Sequence, residues 1–285
     1  SPYDVERIYG VPFSYVDITK EYENMVNNPE IRKSKLRARD LEQEISKLQQ
    51  ESGYPYIVNI DTVNKANPID GKIIMSNLCS EILQVQSPSV INNGQEYEVL
   101  GTDISCNLGS TNIVNLMQSP DFERSIEVAV RALTFVTDHS SIDAVPTVKN
   151  GNQKAHTIGL GAMGLHTFFA LNQMEYGSPE SIEVTDLYFR LLNFYTLKAS
   201  HKIAKERGVT FDGFEKSAYA SGTYFDAYTE SDVEIRSEKV KEIFANLPIP
   251  TAEDWKQLKA DVMADGLYHQ NRLAIAPTGS ISYVN

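Results

Sequence analysis

The 285-residue chain contains only two cysteines, Cys79 and Cys106, and a single tryptophan. Two thiols are too few for a disulfide-stapled secreted domain, and they are not spaced as the ligand pairs of a zinc site. A reducing, cytoplasmic setting is expected. Cations are scarce as well: 26 Lys plus Arg stand against 38 Asp plus Glu, a net charge of −12. An excess of that sign repels a phosphate backbone, so no nucleic-acid partner is expected. Long apolar runs are missing too. The longest stretch free of Asp, Glu, Lys and Arg, residues 155–174, holds two His, two Thr, one Asn, one Gln and three Gly, which makes no membrane span. No secretory signal opens the chain. The five histidines form no HxH or HExxH cluster, so no metal site is expected.

What is present suits a globular protein: 41% of residues are hydrophobic and 22% charged, with ample length for a buried core. Residues 31–51, entered near Pro29 and stopped at Gly53, read as a helix, and Tyr56 to Ile60 as a buried strand. Residues 72–85 read as extended or irregular, 87–98 as a polar connection, and 104–109 as a short strand ending at a Gly turn. Asp121 opens a helix to about Asp138, and another helix is expected after about Gly161. Ser178-Pro179-Glu180 caps a long one that ends at Gly208. Two more amphipathic helices are expected over 233–244 and 251–264, then a buried strand from Leu273 to Ala276. Short apolar strands separated by helices predict an α/β fold with parallel strands, built as one domain over 1–285.

If residues 76–82 are extended, alternation places Asn77, Cys79 and Glu81 on one side. An amide, a thiol and a carboxylate there would offer a hydrogen-bonding group, a redox-active or nucleophilic sulfur and a general base to one small substrate. The same spacing also fits a buried cysteine between two solvated polar residues. Pro277-Thr278-Gly279-Ser280-Ile281 supplies hydroxyls and open backbone amides after a buried strand, which could cradle a diphosphate or be an ordinary turn. Gly159-Leu160-Gly161-Ala162-Met163-Gly164 matches the GxGxxG fingerprint and keeps open a dinucleotide-dependent oxidoreductase, although only Thr157-Ile158 could end a preceding strand. The Arg32, Lys33, Lys35, Arg37, Arg39 cluster reads as a solvated helix face.

Ser76-Asn77-Leu78-Cys79-Ser80-Glu81-Ile82 resembles the active-site finger loop of the large (alpha) subunit of class I ribonucleotide reductases. The 31–53 helix with Tyr56-Ile57-Val58-Asn59-Ile60-Asp61, then Cys106-Asn107-Leu108-Gly109-Ser110, then Ala276-Pro277-Thr278-Gly279-Ser280-Ile281, resemble that family in the same order. The likeness is nearest the class Ib branch of ribonucleoside-diphosphate reductases. It implies a helix-rich piece of a ten-stranded α/β barrel that reduces ribonucleoside diphosphates to 2′-deoxyribonucleoside diphosphates for DNA-precursor synthesis.

In that likeness Cys79 is the thiyl site that takes the substrate's 3′-hydrogen. Glu81 takes the 3′-hydroxyl proton, Asn77 holds the ribose hydroxyls, and residues 277–281 bind the phosphates. Leu78 and Ser80 line the substrate with them. Cys106 matches one of two redox-active cysteines, whose partner lies upstream in the family; without the likeness, a Cys79–Cys106 disulfide or two inert thiols would serve. The likeness further implies no cofactor bound by this chain, a metal-containing, radical-generating small (beta) subunit, a thioredoxin- or glutaredoxin-like reductant, and a homodimer at full length. The radical-receiving tyrosines and the effector site of the family fall outside these 285 residues. Because the chain opens on Ser1 and closes at Asn285, it is expected to be a central catalytic fragment, inactive alone. A non-catalytic module derived from the same fold is the other reading.

Overall fold

A computed structural model describes residues 1–105 and 107–284. Two compact units emerge, one of Ser1–Ala66 with Lys72–Met75, the other of Asn67–Gly71 with Ser76–Asn285.

The first unit is helical. It contains helices α1 (Pro2–Tyr9), α2 (Ile18–Asn27), α3 (Ala38–Ser52) and α4 (Ile60–Ala66), and its small core of Val5, Val16 and Ile31 is flanked by Ile8 and Tyr9 of α1, by Phe13 and by Met25 of α2. The helix expected from residue 31 starts seven residues later. Residues 31–37 are held out of it because Asp4 accepts from both the backbone N–H and the Nε of Arg32, at 3.0 and 2.9 Å, while the chain's amino terminus donates to the Arg32 carbonyl. Its stop is as expected, with Gly53 in the left-handed region at φ 76°. The strand expected at residues 56–60 is not formed. Tyr56 and Ile57 are 52% and 65% exposed, and Ile60 opens α4.

The second unit contains the main core. A hairpin of β1 (Val90–Ile91) and β2 (Tyr97–Val99) occupies the expected polar connection, closed by Asn92, whose side chain accepts from the Gly94 and Glu96 amides. Strand β3 (Leu108–Asn112) then leads through α5 (Ile113–Met117) into α6 (Phe122–His139), whose Asp121 cap accepts from the Arg124 amide. The strand thus begins four residues later than expected and runs through Gly109 instead of ending there. Helix α7 (Pro146–Ala155) precedes β4 (Gly159–Met163), and α8 (Leu165–Leu171) follows it.

The 29-residue α9 (Pro179–Arg207), about 44 Å long, is bounded by the expected Ser178 and Gly208 caps and buries residues around much of its circumference. The short α10 (Asp226–Thr229) is followed by α11 (Glu238–Phe244), which starts five residues after the expected 233. The delay has a cause: Glu183 of α9 accepts the backbone amides of Arg236 and Ser237, holding them outside the helix. Helix α12 (Ala252–Asp265) closes the set with a reciprocal Thr251–Asp254 capping box.

Strands β3 and β4 pair in parallel, Leu108 opposite Gly159 and Asn112 opposite Met163. Residues 271–274 lie along the other edge of β4. Leu160 donates to the Arg272 carbonyl at 2.8 Å and its own carbonyl accepts from Ala274 at 3.3 Å. Only a single bridge, Leu160 to Leu273, forms there in place of the expected strand. Glycine is required on β4. A Cβ on Gly161 would sit 2.2 Å from the Ala274 carbonyl oxygen, and one on Gly159 would meet Leu108 and Ala274 side chains at 2.6 and 2.8 Å.

Helices cover this parallel sheet. Thr111 donates to the Gly161 carbonyl at 2.9 Å, so its oxygen accepts from the Tyr188 hydroxyl of α9 at 2.7 Å. Burial pushes that phenol up to about 12. Parallel strands wrapped by helices are the α/β architecture expected from the sequence.

Candidate active site

Residues 76–82 are not an extended strand, and the alternation argument does not hold past Asn77. The chain turns at Leu78 and Cys79 and leaves through Ser80, whose φ of 63° lies in the left-handed region. The Ser80 amide donates to the Asn77 carbonyl at 3.2 Å, and the Asn77 amide donates to the Ile82 carbonyl at 3.3 Å. The Ile82 amide returns a bond to Asn77 Oδ1 at 2.9 Å, and Ser76 Oγ donates to the Asn77 carbonyl at 2.9 Å. Ile82 itself is buried and anchors the turn.

The result is a clasped loop with Cys79 at its tip. Its thiol is free and exposed, so it is neither a core thiol nor half of a disulfide. Leu78 beside it is exposed as well. Glu81, by contrast, is half-buried, and its Oε2 is buried with no hydrogen-bond partner. A carboxylate oxygen withdrawn from water and left without a donor has capacity to take a proton from a ligand.

Pro277, Thr278, Gly279, Ser280 and Ile281 continue from the 271–274 segment, past the end of its contact with β4. Pro277, Gly279, Ser280 and Ile281 are exposed and Thr278 is half-buried, with its backbone left-handed at φ 53°. Ser280 to Tyr283 then form one 3-10 turn. Ligand sites of parallel α/β folds gather at the carboxyl ends of the strands, which is where this loop lies. Among the described residues no hydrogen bond or ion pair joins 277–281 to Asn77, Cys79 or Glu81. Cys106 lies outside the described residues.

The glycine fingerprint is resolved by β4. Gly159 and Gly161 lie within the strand, where a bulkier residue would strike its neighbours, and only Gly164, at φ 82°, caps a helix. A dinucleotide fingerprint needs these glycines in the turn after a strand, facing a pyrophosphate. That turn is absent, and the glycines serve strand-to-strand approach.

Two polar clusters escaped the sequence reading. Arg272, two residues before Ala274, is buried with its guanidinium over the Tyr219 ring at 5.1 Å and a bond to the Tyr219 hydroxyl at 3.2 Å. Burial pushes the Tyr219 phenol up to about 12. The second cluster lines a cleft of about 460 Å³ that includes Asp138, His156, Arg207 and Tyr268. His156 stacks on Tyr268 at 4.2 Å, and Arg207 lies 4.5 Å from the centre of the same ring. Tyr268 donates to Asp138 at 2.8 Å, while burial lowers the His156 imidazole against the raising effect of Asp138. Nothing in the spacing of these residues announces either cluster, since each joins elements far apart in the chain.

The fold and loop together define a class: a helix-wrapped parallel α/β barrel piece bearing an exposed thiol on a clasped turn. The chain belongs to the ribonucleotide reductase barrel-domain family, whose model matches residues 1–285. It is 44% identical over 285 residues to the ribonucleoside-diphosphate reductase subunit alpha of Bacillus subtilis, covering 99% of this chain and 41% of that protein. The subunit alpha of Mycoplasma pneumoniae is 42% identical over 291 residues, covering 100% of this chain and 40% of its own length. That of Helicobacter pylori is 28% identical over 327 residues, covering 98% and 40%. The chain thus spans about two fifths of the length of these relatives. Among the described residues no helix is long and apolar enough to cross a membrane.

Proposed function

We propose that residues 1–285 form the barrel piece of a catalytic alpha subunit, of class Ib type, that reduces ribonucleoside diphosphates to 2′-deoxyribonucleoside diphosphates. The observation that carries this reading is the exposed Cys79 thiol at the tip of a clasped turn, two residues before a carboxylate with a buried, unpartnered oxygen, in a chain matched end to end by the barrel-domain family.

In this reading a radical-generating, metal-containing partner subunit removes one electron and one proton from Cys79. The thiyl takes the 3′-hydrogen of the ribose, and Glu81 accepts the 3′-hydroxyl proton as the 2′-hydroxyl departs as water. A cysteine pair that includes Cys106 supplies two electrons and two protons and becomes a disulfide, which a thioredoxin- or glutaredoxin-like dithiol reduces again. Glu81 gives its proton back to the 3′-oxygen, and Cys79 returns the hydrogen to C3′. Asn77 holds ribose hydroxyls, Leu78 and Ser80 line the sugar, and Pro277, Thr278, Gly279, Ser280 and Ile281 hold the diphosphate through backbone amides and hydroxyls. The chain itself binds no cofactor, and at full length the subunit pairs with a second copy.

The test completes the chain with the flanking segments of its Bacillus subtilis relative. That subunit is assayed with the radical-generating subunit, a dithiol reductant and a ribonucleoside diphosphate. Product forms with the parent sequence and is lost in Cys79→Ser, while Glu81→Gln abolishes turnover and spares substrate binding. Near-parental turnover in either variant refutes the role given to that residue. The 285 residues alone yield no product.

A further inference from the structure

The cleft of about 460 Å³ that Asp138, His156, Arg207 and Tyr268 line lies away from residues 277–281. His156 precedes β4 and Tyr268 precedes the 271–274 segment, so the cleft stands at the amino ends of these parallel elements. The bonding inside it is incomplete. Asp138 Oδ1 accepts from the Tyr268 hydroxyl and Oδ2 from Arg207, whereas His156 Nδ1 stays 3.9 Å from that carboxylate, beyond hydrogen-bond reach. Neither ring nitrogen of His156 makes a hydrogen bond among the described residues. Burial keeps this imidazole neutral, so it holds one donor and one acceptor unfilled. Its backbone is left-handed at φ 48°, and its ring lies flat on Tyr268, with centroids 4.2 Å apart at 21°. His139 lines the same cleft and lies flat on Phe135, 4.0 Å away at 21°. Its Nδ1 donates to the Phe135 carbonyl at 2.9 Å, which leaves Nε2 as an acceptor in the neutral ring. Two imidazole plates thus face one cleft, each backed by an aromatic ring on one side only among the described residues.

Charge narrows what such a cleft can take. Helices α6, α7 and α9 end at His139, Ala155 and Arg207, so three carbonyl ends meet here, and their partial negative charge favours a neutral or positive ligand. Lys149 and Arg207 are the lysine and arginine of the lining, and both are already paired, with Asp143 and Asp138. A phosphate finds no free cation. We propose that this cleft binds a nucleoside-like ligand without phosphate: a flat nitrogen ring extends the Tyr268–His156 stack, an N–H on its edge meets His139 Nε2, and a hydroxyl meets an unfilled nitrogen of His156. The volume falls within the range of about 300–1,000 Å³ of small-molecule sites. The inference is independent of the reductase reading, because none of these residues belongs to 76–82 or 277–281.

The test uses the 285-residue chain. The imidazole nitrogen resonances of His156 are followed while adenosine, guanosine, cytidine or uridine is added. At least one nucleoside is expected to shift them saturably, with a dissociation constant of about 1 mM or tighter, and its 5′-monophosphate is expected to bind about threefold or more weakly. Asparagine suits a left-handed backbone and removes the plate, so His156→Asn is expected to weaken binding of that nucleoside by about tenfold or more, read by equilibrium dialysis. No saturable shift with any of the four nucleosides overturns the site, whatever the variant does. Undiminished affinity in His156→Asn overturns the stacking role. A monophosphate that binds more tightly than its nucleoside overturns the ligand class.

Discussion

His269 Nε2 lies 2.9 Å from Thr134 Oγ1, and the direction of that bond can be read from its neighbours. Thr134 donates its hydroxyl proton to the Val130 carbonyl, so its oxygen accepts and the imidazole carries its proton on Nε2. On the other side Ser200 Oγ accepts from the His269 backbone amide and donates to Nδ1 at 2.9 Å. The ring is a neutral strut joining α6 and α9 to the segment that leads into residues 271–281. Burial, reinforced by Arg272, holds its pKa well below the ordinary value of 6.5.

A neutral buried imidazole makes stability depend on pH with a definite sign. The unfolded chain binds the proton near pH 6.5 while the folded chain does not, so this contribution is complete above that pH and declines as pH falls below it. Urea midpoints measured between pH 8 and pH 5 are expected to fall over the acidic half of that range. In His269→Gln this part of the slope is lost. Truncation to alanine, which leaves a cavity and takes from the Ser200 hydroxyl the acceptor of its proton, is expected to cost roughly 3 kcal/mol.

Gly161→Ala places a methyl against the Ala274 carbonyl oxygen, a backbone atom that cannot move without opening the parallel sheet. The expected cost is roughly 2–4 kcal/mol, read as a lowered thermal midpoint. Gly279→Ala is the matching control. Its φ is −62° and nothing lies within 4 Å of the added methyl, so the midpoint should remain within about 2 °C of the parent.

Glu127 is clamped by Lys202 and Arg131, at 2.9 and 2.8 Å, and these bonds hold its carboxyl down to about 2. Its contribution is therefore complete above the ordinary value of 4.5 and is lost as pH falls from there toward 2. Glu127→Gln is expected to lower stability at pH 7 by roughly 1 kcal/mol, because both cations remain partly solvated, and to match the parent near pH 2. Denaturation at the two pH values checks the difference.

Exposure of the Cys79 thiol predicts rapid labelling of the native chain by a small maleimide. Peptide mapping should find Cys79 modified before any unfolding occurs. Resistance to labelling until denaturant is added would contradict the exposed tip.

Helix ends carrying their own chemistry were legible in the sequence. Ser178 and Gly208 bound α9 as read, Asp121 caps α6 and Thr251 caps α12, because capping is a local interaction. Reading failed where distant residues decide. No element was expected over helix α7, which has Asn150-Gly151-Asn152 in it, residues of low helix propensity. It forms because Asn152 donates to the Thr137 carbonyl and accepts from Ser105, and because Gly151 lets the Asp103 backbone approach closely. The apolar run after Pro55 suggested a strand, yet a strand needs a sheet to receive it, which sequence cannot supply. At the candidate site the residue types were legible and the conformation was not: alternation implied a strand, whereas the side chain of Asn77 bends the chain back on itself.

The third parallel element of the sheet has a consequence for how the chain is made. Strand β4 receives β3 from earlier residues, but its other neighbour, residues 271–274, leaves the ribosome after the whole of α8 to α12. At ordinary rates of synthesis that interval is roughly 5 to 20 s. Throughout it the N–H and C=O of Leu160 point outward from an open edge flanked by two glycines, with no side chain there to discourage another strand from docking. Nascent chains released early, or stalled between α9 and α12, would present that edge to one another.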